Sequence, residues 1–189
     1  MIYAQTAAPA VEPVTLGEVK AHMRMEEGQE DAFLTALTGI ARSHLEHTTG
    51  LALVSQGLRL YLDRWPTSCI VRIGRGPVRS IEAVTVYDGD GAPQTVPLAG
   101  HWLDGYGRPA RLWLPDPPAP GRAVNGIEID FTAGYGESGA DVPAELKRAM
   151  LMHVALMFSY RGAVAPADQP AAIPDGYDRL VAPYARRGL

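Results

Sequence analysis

The spacing of apolar residues changes character several times along the chain, and each change predicts an element. Met1 to Pro13 shows no helical period and contains two prolines, so it reads as an extended arm. Thr15-Leu16-Gly17-Glu18 has the form of a capping box, in which the threonine oxygen accepts a backbone N–H and the glutamate reaches back. A short helix over Leu16 to Met23 should follow, broken by Glu26-Glu27-Gly28. Phe33, Leu34, Leu37, Ile40, Ala41, Leu45 and Thr48 then recur at helical spacing, which predicts a second helix from about Glu30 to Thr49, closed by Gly50.

From Leu53 to Thr132 the repeat drops from about 3.6 residues to about 2. Leu58, Leu60 and Leu62 alternate with Arg59, Tyr61 and Asp63, and Ile70 to Arg75 alternates in the same way. Ile81 to Tyr87 forms another such stretch, followed by turn residues Asp88-Gly89-Asp90-Gly91. Weaker strands are expected at Thr95 to Leu98 and Arg111 to Leu114, and a firmer one at Gly126 to Thr132. The proline-rich Pro115 to Gly121 is a loop. The result is an antiparallel β module inserted over residues 53–133.

The next stretch, Pro143 to Tyr160, is apolar on every side. Leu146, Met150, His153, Met157 and Tyr160 make a helical stripe, while Leu151, Met152, Leu156 and Phe158 cover the other faces. Pro143 suits a first turn, and Glu145 suits the positive end of the helix dipole. A helix apolar all round is either central to its fold or covered by another subunit. It is shorter than the roughly 18 to 20 apolar residues a bilayer requires. After Arg161 comes a spacer of alanine and proline, and then Tyr177, Leu180, Val181 and Tyr184, spaced to share one face of a short helix. Such a tail is either a docking arm or a segment folded back on its own domain.

The fold class that follows is α+β: a small helical bundle with an inserted antiparallel β module and a C-terminal docking arm. The expected division is an arm over 1–13, a body over 14–160 with helices in 15–50 and 143–160 and the β insertion, and a linker with docking segment over 161–189.

Composition narrows the function. At 189 residues the chain suits one domain with appended arms, and 47% hydrophobic content is ordinary for a globular protein. A net charge of −4 argues against an electrostatic nucleic-acid binder. The single cysteine, Cys69, rules out an intrachain disulfide framework and fits a reducing cytoplasm, and the N-terminus lacks the form of a secretory signal.

The candidate chemical motifs are weak. Gly134-Tyr135-Gly136-Glu137-Ser138-Gly139 matches a dinucleotide-binding pattern, but Asp141, Val142 and Pro143 intervene before the helix, and no acidic residue follows at ribose distance. Gly134, Gly136 and Pro143 are better read as a structural turn. His44 and His47 sit three apart on the second helix without a third ligand nearby, and His153 is isolated in an apolar run. Asp88 and Asp90 lack the later ligands of a calcium loop. Ser43 and His44 diverge on a helix, and Cys69 has no partner. No catalytic residue, cofactor or metal ligand is assigned, and the chain is not expected to be an enzyme. The rival reading is a small nucleotide-dependent enzyme using Gly134 to Gly139.

The order of features resembles the head–tail connector, or adaptor, proteins of tailed bacteriophages and gene transfer agents. Pro13-Val14-Thr15-Leu16-Gly17-Glu18-Val19-Lys20-Ala21-His22-Met23-Arg24 is similar to that family's P-x-T-L-x-E-x-K-x-H-L-R opening. Glu30 to Leu34, the helix end His47 to Leu53, the strand Leu58 to Pro66 and the Gly76-Pro77-Val78 turn follow in family order. So do Phe131 to Gly136, Val142 to Lys147, Tyr160-Arg161 and Leu180-Val181-Ala182-Pro183-Tyr184-Ala185-Arg186, the last with Ala185 inserted before the arginine.

The resemblance implies a structural adaptor in the neck of a virion, made in the bacterial cytoplasm and acting without cofactor. It would form a ring, twelve-fold to match a portal, that joins capsid to tail and extends the DNA channel. Its partners would be the portal protein, tail-side connector or stopper proteins and its own copies. Double-stranded DNA would pass without being read, and no membrane is involved. Tyr177, Leu180, Val181, Tyr184, Arg186 and Arg187 are the expected portal-docking residues. A tail-terminator or capsid-stabilising virion protein is the nearer alternative.

Overall fold

A computed structural model describes residues 2–26, 28, 30–160 and 173–185. The fold is α+β, and the chain divides into a β unit, residues 1–10 and 55–135, and a helical unit, residues 11–54 and 136–189.

The β unit holds eight strands: β1 (Ile2–Ala7), β2 (Gln56–Leu62), β3 (Ile70–Ile73), β4 (Val78–Tyr87), β5 (Pro93–Thr95), β6 (Trp102–Asp104), β7 (Ala110–Trp113) and β8 (Ile127–Ala133). They form a five-stranded sheet in the order β1-β2-β8-β4-β5 and a three-stranded sheet in the order β3-β7-β6, with antiparallel pairing throughout. The two-residue alternation places Leu58, Leu60 and Leu62 of β2 and Ile127, Ile129 and Phe131 of β8 in the core. Val71, Ile73 and Leu112 of the smaller sheet are buried as well. On the other face of β2 and β8, Arg59 makes a forked pair with Asp130 at 2.7 and 2.9 Å and meets Glu128 at 2.7 Å.

Two strands escape the sequence pattern. The N-terminal residues are extended as expected, but Ile2–Ala7 is not a free arm: it pairs with β2 as the edge of the five-stranded sheet. Tyr3 anchors it. Its ring meets Phe131 edge-on at 6.4 Å, and its hydroxyl accepts a hydrogen bond from the Gly74 N–H at 2.7 Å, so one side chain links both sheets. β6 spans three residues, too few to show a period. The weak strand expected at Thr95 to Leu98 lies slightly earlier, as β5.

The helical unit contains α1 (Leu16–Met23), α2 (Asp31–Thr49), α3 (Ala144–Ser159) and α4 (Tyr177–Val181). The capping box forms as read: the Glu18 N–H donates to the Thr15 hydroxyl and the Thr15 N–H to the Glu18 carboxylate. Helix α3 is the central element, packed against α1, α2 and α4. Its buried face is Leu146, Ala149, Met150, His153 and Val154, whereas Leu151, Met152, Leu156, Met157 and Phe158 are half-buried and Tyr160 is exposed. Helix α2 buries Leu34, Leu37, Thr38, Ala41 and Leu45. The buried stripe is therefore narrower than its sequence pattern. Phe33 and Ile40 flank it and remain 39% and 52% exposed.

A partly buried ionic network closes this unit. Glu46 accepts hydrogen bonds from the Leu53 N–H at 2.8 Å and from Arg42 at 3.2 Å, and Arg42 also holds Glu12 at 2.8 Å. Each charge in the network is paired and hydrogen-bonded, which a buried charge requires.

Replacing Met150 with Asp buries an unpaired charge and should cost at least ~3 kcal/mol, enough to threaten folding. Ala144→Asp, exposed in the first turn of α3, should stay within about 0.5 kcal/mol of the parent. Chemical denaturation followed by circular dichroism checks both.

Candidate functional site

The glycine turn is built for packing. Gly134 adopts a positive φ, and its N–H donates to the Pro77 carbonyl at 2.9 Å. A Cβ on Gly136 would lie 2.2 Å from the Asp141 carboxylate. That carboxylate accepts the Ser138 N–H and hydroxyl, each at 3.0 Å. A 3₁₀ turn at Gly139–Asp141 follows, and α3 begins only after Pro143. The glycines are thus explained by steric fit.

The other sequence candidates separate in the structure. His47 is exposed, while His44 and His153 come together with their ring centroids 5.1 Å apart. Among the described residues, no group of three or more His, Cys, Asp or Glu is arranged to hold a metal. Asp88 shapes the β4–β5 hairpin, its carboxylate accepting the Asp90 and Ala92 N–H groups at 3.0 and 2.9 Å. No helix among the described residues is long and apolar enough to cross a membrane.

The C-terminal segment is more informative. Tyr177 and Val181 are buried within the helical unit, so in this conformation they anchor the segment on its own core instead of offering themselves to a partner. Leu180 and Tyr184 remain partly accessible, and the Tyr184 hydroxyl donates to Glu145 at 3.1 Å. Arg186 and Arg187, like the linker over 161–172, lie outside the described residues.

Beneath α4, Tyr177 completes a three-ring cluster, 6.2 Å from His44 and 5.7 Å from His153. The Tyr177 hydroxyl, both His153 ring nitrogens and His44 Nε2 are buried with no hydrogen-bond partner among the described residues. Burial, with His44 adding a smaller repulsion, pushes the His153 pKa down to about 4, and burial beside the Asp178 charge pushes Tyr177 up to about 12. His153 and Tyr177 are therefore neutral at pH 7, and the cluster is held by ring contacts.

Sequence reasoning missed a surface on the β unit. Trp102 and Trp113 are directly paired across β6 and β7, and Ile70 pairs with Trp113 from the other side. With Arg111 and Asp104 they line an open groove of about 710 Å³. Trp102 is 79% exposed, Trp113 40%, and Tyr106 in the adjoining loop 95%. Arg111 donates to Asp104 at 2.8 and 3.0 Å, and that pair holds the Asp104 carboxyl below its usual range. The signal was present in the sequence as aromatics two, six and thirteen positions past Gly100, but only strand pairing puts them side by side.

The whole chain is similar to chains in gene transfer agent particles. One, in the virion of the native particle, is 29% identical with a TM-score of 0.81, covering 100% of this chain and 98% of that one. Another, in the neck of the empty particle computed with C6 symmetry, is 29% identical with a TM-score of 0.79 and the same coverage. A third, in the neck of the native particle computed with C12 symmetry, is 28% identical with a TM-score of 0.79, again covering 100% and 98%. No protein-family model matches the chain, and no curated protein matches it.

The His153 environment sets a pH dependence. Its folded pKa of about 4 lies below the ordinary 6.5, so as pH falls from 6.5 towards 4 the unfolded chain binds a proton that the folded chain refuses. Stability from this group is full above pH 6.5 and is lost below it, by up to about 3 kcal/mol. Urea titrations at pH 7.5 and 4.5 should show that loss, and His153→Leu should reduce it. Circular dichroism is the right probe, because all three tryptophans lie in the β unit.

Proposed function

We propose that this chain is a structural neck protein of a gene transfer agent or phage particle, a head–tail connector that forms a ring on the portal. The observation that carries the reading is similarity along the whole chain, in sequence and in fold, to chains from particle necks. A partial match could arise from a shared module, whereas here the likeness covers 100% of this chain and 98% of that one.

The physical character of the surfaces supports it. The two most exposed large apolar side chains among the described residues, Tyr106 and Trp102, are aromatic, as befits a protein that works by assembling. The net charge of −4 falls on the helical unit, since acidic and basic side chains balance in the β unit. A surface without excess Lys and Arg lets DNA pass without gripping it, because strong binding needs clustered phosphate contacts.

The C-terminal segment is the proposed portal-docking element. Tyr177 and Val181 hold it on the helical unit, leaving Leu180, Tyr184, Arg186 and Arg187 to meet the portal. Each contact is modest alone, and repetition around a ring multiplies it through avidity.

Imaging of purified particles should find the protein as a ring of identical copies between portal and tail; one copy per particle would overturn the reading. Leu180→Asp should abolish attachment to portal-bearing capsids while leaving the thermal midpoint of the isolated protein nearly unchanged. Unimpaired attachment would move the docking surface elsewhere.

A further inference from the structure

A closed ring of more than two identical subunits cannot be made from one self-complementary patch. Each subunit must present two different surfaces, one fitting the other on its neighbour. Among the described residues, two exposed apolar surfaces have a suitable character, one on each unit.

The first is the outer face of the three-stranded sheet, where Trp102, Trp113 and Tyr106 are exposed and Arg72 and Arg111 stand on the same face as the tryptophans. Register fixes this arrangement: Ile70 and Arg72 on β3, Arg111 and Trp113 on β7, and Trp102 and Asp104 on β6 are cross-strand partners. The second is a stripe on α2. Phe33, Ala36 and Ile40 are all exposed at helical spacing, with no charged side chain among them, and the Phe33 ring meets Phe158 of α3 at 6.1 Å. Exposed Glu26, Glu30 and Asp31 lead into this stripe. The aromatic face thus carries Arg72 beside the Arg111–Asp104 pair, and the helix stripe starts from Glu26 and Glu30 beside the Asp31–Lys20 pair, so one patch is net positive and the other net negative. That is charge complementarity between two apolar patches of one chain.

We propose that these two surfaces form the joint between neighbouring copies, the aromatic face of one subunit seated on the Phe33–Ala36–Ile40 stripe of the next. The proposal rests on the ring-forming reading above and specifies its interface. Aromatic and arginine side chains are the types that dominate interface energetics, and here they occupy a groove open enough to receive a helix face. The joint is heterologous, so position 102 meets position 40 and never its own copy.

Disulfide trapping in assembled particles tests this, because a disulfide forms only where the Cα atoms approach within about 7 Å. Cys69, the single native cysteine, is first replaced by Ser. Four double variants then combine Ile40→Cys or Ala36→Cys with Trp102→Cys or Tyr106→Cys, all at exposed positions that tolerate the change. Each is produced in the full-length chain beside its two single-cysteine counterparts, and particles are oxidised and run on non-reducing gels. At least one double variant should give a ladder of covalent oligomers of this chain, while the single variants stay monomeric. Where a variant enters particles poorly, it is supplied with an excess of the Cys69→Ser parent, and the same contact then appears between two variant copies.

Three results overturn the joint. One is a ring present at full copy number with no ladder from any pair. Another is a dimer from a single-cysteine variant, which marks a self-paired surface. The third is a disulfide to a different particle protein. In all three the ring-forming function stands, whereas absence of the Cys69→Ser protein from particles removes the function and the joint together.

Discussion

Strand β8 is paired along its whole length on both sides, to β2 over residues 127–133 and to β4 over the same stretch. The β unit depends on this arrangement. A central strand has its backbone donors and acceptors satisfied by neighbours, so its alternate side chains can be wholly committed to the core. Ile127, Ile129, Phe131 and Ala133 are all buried as a result. Phe131 in turn receives the Tyr3 ring, which pins the N-terminal edge strand and reaches the smaller sheet through Gly74. The segment after β8 leads into the helical unit through a turn in which Gly136 and Gly139 leave no room for a Cβ.

The helical unit solves a different problem. Its central helix is too apolar to be exposed, and α1, α2 and α4 cover it. Coverage by α4 brings in a polar cost, since Tyr177, His44 and His153 bury ring atoms without hydrogen-bond partners among the described residues. An unsatisfied buried polar group typically costs about 1–3 kcal/mol. Ring contacts and apolar burial of Tyr177 and Val181 offset that cost at neutral pH. The C-terminal segment is consequently held less firmly than an all-apolar interface of the same size would hold it. A segment that meets a partner benefits from such a balance, because ordering it beforehand lowers the entropy lost on docking.

The proposed assembly gives both surfaces a common logic. Exposed tryptophan and tyrosine on a short three-stranded sheet, and an uncharged stripe on α2, are liabilities for an isolated chain and assets for a subunit. The partly buried network of Arg42, Glu46 and Glu12 is fully paired and serves stability, and the pairs at Arg59 and Arg111 link neighbouring strands, where they help fix register.

Local signals in the sequence determined the helices and the longer strands. The Thr15–Glu18 capping box, the α2 repeat ending at Gly50 and the alternation in β2, β4 and β8 each depend on neighbours a few positions away, so pattern alone is sufficient. The ordered motifs also carried the resemblance to connector proteins. What pattern could not decide was contact between distant segments. Ile2–Ala7 became a strand because β2 offered an edge, and Trp102–Asp104 because β7 did; neither stretch has a period long enough to announce itself. The same limit hid the exposure of Phe33 and Ile40, since a helical repeat gives the apolar positions but not the width of the groove that receives them. It also left open whether Tyr177 and Val181 faced a partner or their own core. In the folded chain both are buried on the helical unit, where Tyr177 meets His44 and His153, residues more than a hundred positions apart in sequence that only folding brings together.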